Sequence, residues 1–361
     1  MAMAAATMGT AKLPVYVLTG FLGSGKTVLL NALLSDPRFS NSAVVVNEFG
    51  DIGLDHLLVS TSEENIILLD AGCLCCAVLG SLKETLADLH ARRAQGELPP
   101  FERVLIETTG LADPGPIIQS ITRDPLVSHF YELAGVICVV DAVHGLDQLN
   151  DHFEARNQAA VADRLIVTKT DLLGGATPPS LAARLRALNP TAEILVASHG
   201  AVSPTALLGP QAPGPRLPWI GHLQLNDDGG HDHLHGGDHS HDHHQAHDRE
   251  IGSECFRIEA AATWAGIAAW TAVMRGRYGR DLLRCKGILN VAGQHGPVVL
   301  HGVQTTFDTT RLPQWPDEER CSRLVLIGRG LDRVALEGAL AWLHAPEGTM
   351  PPLSPDAPPP A

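Results

Sequence analysis

The amino-acid sequence predicts an α/β fold: a domain built on a mostly parallel sheet, followed by a smaller C-terminal α+β domain. Three observations carry this. Between Leu13 and Leu208, seven short apolar runs ("VYVLT", "AVVV", "IILL", "RVLIE", "GVICVVD", "RLIVT" and "AEILVA") alternate with stretches of helical period. Continuous Val/Ile/Leu runs belong to strands covered on both faces, the situation of a parallel sheet flanked by helices. The pattern stops at "GPQAPGPRLP", Gly209 to Pro218, which has the composition of a linker. It resumes near Cys255 in a different order of strands and helices.

Length and composition bound the organisation. A chain of 361 residues is long enough for about two domains. We divide it into 11–208, 209–250, 251–345 and a Pro-rich tail, 346–361. Within the second segment, "NDDGGHDHLHGGDHSHDHHQAHD" has no basic or β-branched residue and cannot build a core. In the third, "CFRIEA" reads as a strand. "TWAGIAAWTAVMRGRYG" reads as a helix that places Trp264, Ile267 and Trp270 in a core. The runs "GILNVAG", "PVVLHGVQTTFD" and "RLVLIG" read as strand-like, and a helix follows from about Asp332 to Leu343. Lys286, His295 and His301 read as isolated surface or satisfied polar residues, so this domain shows no compact catalytic constellation.

Several function classes are excluded at this stage. A net charge of −14 argues against a nucleic-acid partner. The opening "MAMAAATMGTAKLP" is too short an apolar stretch for an export signal and is interrupted by Lys12 and Pro14. No apolar run of about 18 residues occurs, so no membrane partner is expected. Seven cysteines, an odd number without an export signal, indicate a reducing, cytoplasmic location with free thiols.

The strongest motif is "GFLGSGKT", Gly20 to Thr27, which follows the strand "VYVLT" and opens the helix "KTVLLNALL". It fits G-x-x-x-x-G-K-[ST] at every fixed position. Gly20, Gly23, Ser24 and Gly25 let the backbone curl so that successive N–H groups face phosphate oxygens, and the helix N-terminus adds a positive dipole end. Lys26 is placed for the β- and γ-phosphates and Thr27 for Mg²⁺. In "LIVTKTD", Asp171 can accept from the N1–H and N2–H₂ of guanine, a donor pair adenine lacks, while Lys169 lies along the base. The nucleotide is therefore GTP. Thr168 stands where the pattern Asn-Lys-x-Asp has its amide. "RVLIETTG" ends a strand in Glu107, the carboxylate expected to organise Mg²⁺, with Gly110 placed to follow the γ-phosphate. Lys26, Thr27 and Glu107 are the candidate catalytic residues. "VVVNEFGDIGLD" runs from a strand into a polar loop carrying Glu48, Asp51 and Asp55, a candidate switch segment.

The cluster "DAGCLCCAVLG" sets Cys73, Cys75 and Cys76 just after the strand ending at Asp70. Ligands in doubly wound sheets bind beyond the carboxyl ends of the strands, so thiols, phosphates, Glu48 and Glu107 should share one edge. Three thiols in four residues form an incomplete tetrahedron, leaving a position for water, for Glu48 or for a recipient's ligand. Such a site suits temporary holding of a metal. Inert buried thiols and a Cys75/Cys76 redox pair are the competing readings. His231, His233, His235, His239, His241, His243, His244 and His247, interleaved with aspartates, suit weak recruitment of Zn²⁺, Co²⁺ or Ni²⁺. Cys138, Cys255, Cys285 and Cys321 are dispersed and read as small apolar residues.

These motifs together resemble the CobW-type family of P-loop GTPases and metallochaperones. The resemblance rests on "GFLGSGKT", "CLCC", "ETTG" and the histidine-rich segment, and it extends into "LLRCKGILNVAGQHGPVVLHGVQTTFD" and "SRLVLIGRGLD". It implies a GTPase fold up to about Leu208, slow GTP hydrolysis, and delivery of Zn²⁺ or Co²⁺ to a metal-requiring client protein. No water-positioning glutamine follows "ETTG", which fits slow turnover. A homodimer is compatible with it. A cobalt chaperone serving cobalamin synthesis or a cobalt enzyme, a passive zinc store, and an ATP-using P-loop kinase are the alternatives.

Overall fold

Seven strands among the described residues form one parallel sheet. They are β1 (Leu13–Gly20), β2 (Ser42–Val46), β3 (Ile67–Asp70), β4 (Arg103–Glu107), β5 (Tyr131–Asp141), β6 (Arg164–Thr168) and β7 (Glu193–Val196). The structure, a computed structural model, describes residues 12–39, 41–46, 67–70, 78–197, 202–203, 206–207, 250–350 and 354. Across the sheet the order is β3-β2-β4-β1-β5-β6-β7, and every neighbouring pair is parallel. Val15, Val17, Val44, Val45, Ile106, Ile166 and Val167 are fully buried, which is why these runs carry no polar alternation. Each such side chain contributes about 1.5–3 kcal/mol by leaving water.

Parallel neighbours need crossovers, and helices supply them: α1 (Lys26–Leu34), α2 (Val78–Gln95), α3 (Gly115–Arg123), α4 (Pro125–Phe130), α5 (Gly145–Asp151), α6 (Phe153–Val161) and α7 (Pro179–Leu188). In α1, Leu29, Leu30, Leu33 and Leu34 pack with Tyr16, Leu18, Val44, Leu105 and Ile137 of the sheet. α6 packs on β1 and β5. From β1 the chain winds to β2, β3 and β4 on one side and then to β5, β6 and β7 on the other, so the carboxyl end of β1 is the switch point where a ligand crevice opens.

The chain divides into two compact units, Met1–Pro213 and Gly214–Ala361. The second holds β8 (Ile251–Ile258), α8 (Trp264–Arg277), β9 (Leu282–Leu289), β10 (Val298–Val303), β11 (Thr306–Arg311), β12 (Ser322–Arg329) and α9 (Arg333–Leu340). Its antiparallel sheet has the order β11-β10-β9-β12-β8. Phe256, Cys285, Leu300, Leu324 and Leu326 of the sheet pack with Ile267, Trp270 and Met274 of α8 and with Leu336 of α9. Thr263 caps α8 by accepting from the Gly266 N–H, and Asp332 caps α9 by accepting from Val334 and Ala335.

One expectation is refined here and one corrected. "PVVLHGVQTTFD" is two strands, β10 and β11, joined by a tight turn in which Gln304 takes φ 51°. Lys286 is buried at 4% exposure and stands directly opposite the half-buried His301 across β9 and β10, so of the two readings for Lys286 the surface one falls, and the two residues are not isolated from each other. Cys138, Cys255, Cys285 and Cys321 are free thiols. Burial pushes Cys138 up to about 12 and Cys255 up to about 11, which keeps them protonated and unreactive near neutral pH. No helix among the described residues is long and apolar enough to cross a membrane.

Candidate functional site

The site is built at the carboxyl end of β1. Gly20 takes φ 144°, and a Cβ there would lie 2.4 Å from the Val139 carbonyl oxygen and 2.9 Å from Ser24 Oγ. Gly23 and Gly25 take φ 71° and 96°, left-handed values that turn the loop back on itself. Gly25 then serves as the N-cap of α1, whose first turn carries no acidic side chain, so the positive end of the helix is left for an anion. The Lys26 ammonium donates to the carbonyls of Gly20 at 2.8 Å and Phe21 at 3.2 Å, which holds it over the loop.

The second motif closes on this loop. Thr27 Oγ1 donates to Glu107 Oε1 at 2.9 Å, and Glu107 is only 5% exposed. A hydroxyl and a carboxylate at this separation are hard oxygen donors, so the residues present fit Mg²⁺. Past Glu107, Thr108 Oγ1 donates to Thr19 Oγ1 at 2.9 Å, fastening the loop to β1. Gly110 lies against the phosphate loop itself: a Cβ on it would meet Leu22 Cδ2 at 2.6 Å and Leu22 Cα and N at 2.8 Å. The glycine of "ETTG" is thus required by close backbone approach.

The segment "TKTD", Thr168 to Asp171, meets the same loop from the other side. Thr168 Oγ1 donates to the Ser24 carbonyl at 2.6 Å. Lys169, at φ 57°, extends its ammonium to Asp141 Oδ2 at 2.7 Å. Asp141 also accepts from the backbone N–H of Val143 and His144, and its Oδ2 lies 3.1 Å from His144 Nδ1. Burial works to raise the Asp141 pKa, but Lys169, His144 and the two backbone donors together hold it below the usual carboxylate range. Asp171 sits exposed in the short turn Thr170–Leu173 that follows.

The chain matches the family model described as the CobW/HypB/UreG nucleotide-binding domain over residues 14–196. It also matches the cobalamin synthesis protein cobW C-terminal domain over 251–343. It is 32% identical over 339 residues to the zinc chaperone YjiA of Escherichia coli, covering 91% of this chain and 98% of that one. This chain belongs to the CobW family. It is also 33% identical to the zinc chaperone CobW of Pseudomonas aeruginosa, covering 91% of each chain. Among solved structures, the Zn(II)-bound YjiA GTPase from E. coli matches with a TM-score of 0.66 and 28% identity, over 92% of this chain and 99% of that one.

In this CobW-family chain the structure brings Gly20, Gly23, Ser24, Gly25, Lys26, Thr27, Glu107 and Gly110 together, with Thr168 joined to the same loop, while Lys169 reaches Asp141. Glu48, Cys73, Cys75, Cys76 and His231, His233, His235, His239, His241, His243, His244 and His247 lie outside the described residues. Among the described residues, no three His, Cys, Asp or Glu side chains converge to hold a metal. The strands that lead toward "CLCC" and Glu48 are described: Val46 pairs with Asp70 on one side and with Glu107 on the other. Asp141 was missed by the sequence reading, although it ends an apolar strand just as Glu107 does. His152, stacked on Phe21 of the phosphate loop with ring centroids 4.5 Å apart, had no sequence signal.

Proposed function

We propose that this chain is a GTP-dependent metallochaperone that holds Zn²⁺ at Cys73, Cys75 and Cys76 with Glu48, and hands it to a metal-requiring client as GTP is hydrolysed. The observation that carries this reading is the register of β3, β2 and β4. The strands that run into "CLCC", into Glu48 and into the Mg²⁺ carboxylate Glu107 end side by side, at Asp70, Val46 and Glu107. The names of the relatives, zinc chaperone and GTPase, support the same function.

Lys26 and the loop N–H groups bind the phosphates, and Thr27 with Glu107 holds Mg²⁺, which supplies charge neutralisation at the terminal phosphoryl group. Asp171 and Lys169 select guanine. The soft thiolates favour Zn²⁺, with Co²⁺ the second choice. The histidine-rich segment recruits metal loosely, and residues 251–345 recognise the client. The working location is the cytoplasm, and a homodimer is compatible with the reading.

The decisive measurement is a Zn²⁺ titration of the full chain with Mg²⁺ and either a non-hydrolysable GTP analogue or GDP. Gating predicts affinities that differ by about 5–150-fold, the usual span of coupling energies. Equal affinities would leave a passive zinc store. A Co²⁺ titration in parallel decides the metal.

A further inference from the structure

The helix α6 carries two fully buried amides that the reading above does not use. Gln158 is 0% exposed, and its Nε2 donates to the carbonyls of Gly110 at 3.1 Å and Ala112 at 3.0 Å. Asn157, 1% exposed, donates from Nδ2 to Asp113 Oδ1 at 2.8 Å, an oxygen that also accepts from the Gly115 N–H. The loop from Thr108 to Pro114 is therefore gripped at three successive points by one helix. That helix is itself fixed. Its C-terminal carbonyls, Ala159, Ala160 and Ala162, all accept from Asn189 Nδ2 at 2.9–3.0 Å. Its N-terminal neighbour His152 stacks on Phe21 of the phosphate loop.

Stability alone does not account for Gln158. Its Oε1 is buried with no hydrogen-bond partner among the described residues. Both neighbours of the amide nitrogen are carbonyls, so the group cannot be turned round to satisfy the oxygen. An orphaned buried acceptor costs about 1–3 kcal/mol, while two neutral hydrogen bonds return about 0.5–1.5 kcal/mol each. The amide's own contribution is therefore near zero, whereas methionine would remove the orphaned oxygen but leave the Gly110 and Ala112 carbonyls without this donor. What the amide supplies and methionine cannot is a fixed height for the Gly110 and Ala112 carbonyls, and Gly110 is the residue that abuts Leu22 of the phosphate loop.

We infer that Gln158 and Asn157 are positioning residues for GTP hydrolysis, acting through the Thr108–Pro114 loop to hold Gly110 in register with the phosphate loop. The inference rests on the GTPase reading proposed above. Neither side chain touches the nucleotide, so their effect falls on the state that contains a terminal phosphoryl group and not on the binding of GDP.

The test compares full-length wild type with Gln158→Met and Asn157→Ala, measuring GTP turnover with Mg²⁺, GDP affinity and Tm. For Gln158→Met the expected result is a kcat at least tenfold lower, with KM for GTP and Kd for GDP within twofold of wild type. Tm should fall modestly, because the Gly110 and Ala112 carbonyls lose this donor even as the orphaned oxygen goes, so the diagnostic readout is a loss of kcat at unchanged GDP affinity. Asn157→Ala should show the same split with a smaller loss, and it carries the test if the methionine variant does not fold. Variants whose kcat stays within twofold overturn the inference, as do variants in which kcat, GDP affinity and Tm fall together, the mark of a purely structural role. A wild-type chain without GTPase activity overturns both readings; an active wild type with unaffected variants overturns this one alone.

Discussion

At the scale of single residues, Thr168 shows how a departure from a motif can keep its physical job. Asparagine at this place offers an amide donor, and the threonine hydroxyl offers one donor, which it gives to the Ser24 carbonyl at 2.6 Å. The end of β6 is thereby tied to the phosphate loop, and on the proposed reading that ties base recognition to phosphate binding. Thr168→Val keeps the shape and removes the donor, leaving a buried carbonyl short of a partner. A loss of about 1–1.4 kcal/mol is expected, so GDP and GTP should both bind about five- to tenfold more weakly. Competition against a fluorescent GDP reads this directly, and unchanged affinity for both nucleotides contradicts it. Asp141 makes a second residue-scale case. Its carboxyl is held below its ordinary value by Lys169 and His144 against the opposing effect of burial. A depressed carboxylate stabilises the fold at pH values above about 3.9 and loses that contribution as pH falls through its lower folded value. Asp141→Asn should therefore be destabilised at pH 7, by about 1 kcal/mol because the Lys169 side chain is 36% exposed and partly screened. The gap should narrow below about pH 4. Urea midpoints across that range check the sign, and a gap that widens on acidification refutes it.

At the scale of elements, the informative junction is the loop after β4 against the loop after β1. Gly110 approaches Leu22 so closely that any side chain would overlap its backbone Cα and N at 2.8 Å, and backbone cannot swing aside as a flexible side chain can. Gly110→Ala must displace one loop or the other. A misplacement of about 1 Å near the chemistry costs up to about 100-fold in rate, so turnover should fall between about 10- and 100-fold. Steady-state hydrolysis measures it, and activity within twofold of wild type would show that the contact yields. The same elements show what the sequence made legible. The central strands β1, β2, β4, β5 and β6 were readable because burial on both faces leaves continuous apolar runs such as "GVICVVD". The phosphate loop and Glu107 were readable because their chemistry fixes residue types at fixed spacing. The β10–β11 turn was not, because Gln304 takes its left-handed φ without the glycine or asparagine that usually marks one. The grip of α6 on the second motif was equally hidden. Asn157 and Gln158 meet partners 44 and 48 residues away in sequence, and only the packing of α6 on β1 and β5 brings them together.

At the scale of the whole molecule, the proposed function sets a condition that no single site can meet alone. If nucleotide state alters the grip on zinc, zinc must alter the grip on nucleotide by the same factor, because both are one coupling free energy measured from two ends. The register that ends β3, β2 and β4 together gives the coupling a short mechanical route, from Glu107 through Val46 to Asp70. A Zn²⁺ titration with and without the GTP analogue yields one factor, and an analogue titration with and without Zn²⁺ yields the other. They should agree within error. Replacing Cys75 and Cys76 with serine should bring both factors to about one while leaving GDP affinity intact, since the proposed reading gives the thiols the metal and not the phosphates. Deleting residues 231–247 should lower the total metal bound, yet leave both factors as they were, because the proposed reading has that segment recruit metal without sensing nucleotide. If the serine variant keeps the coupling, or the deletion abolishes it, the metal that responds to GTP is held by the histidine segment, and the cysteine cluster has been given the wrong role.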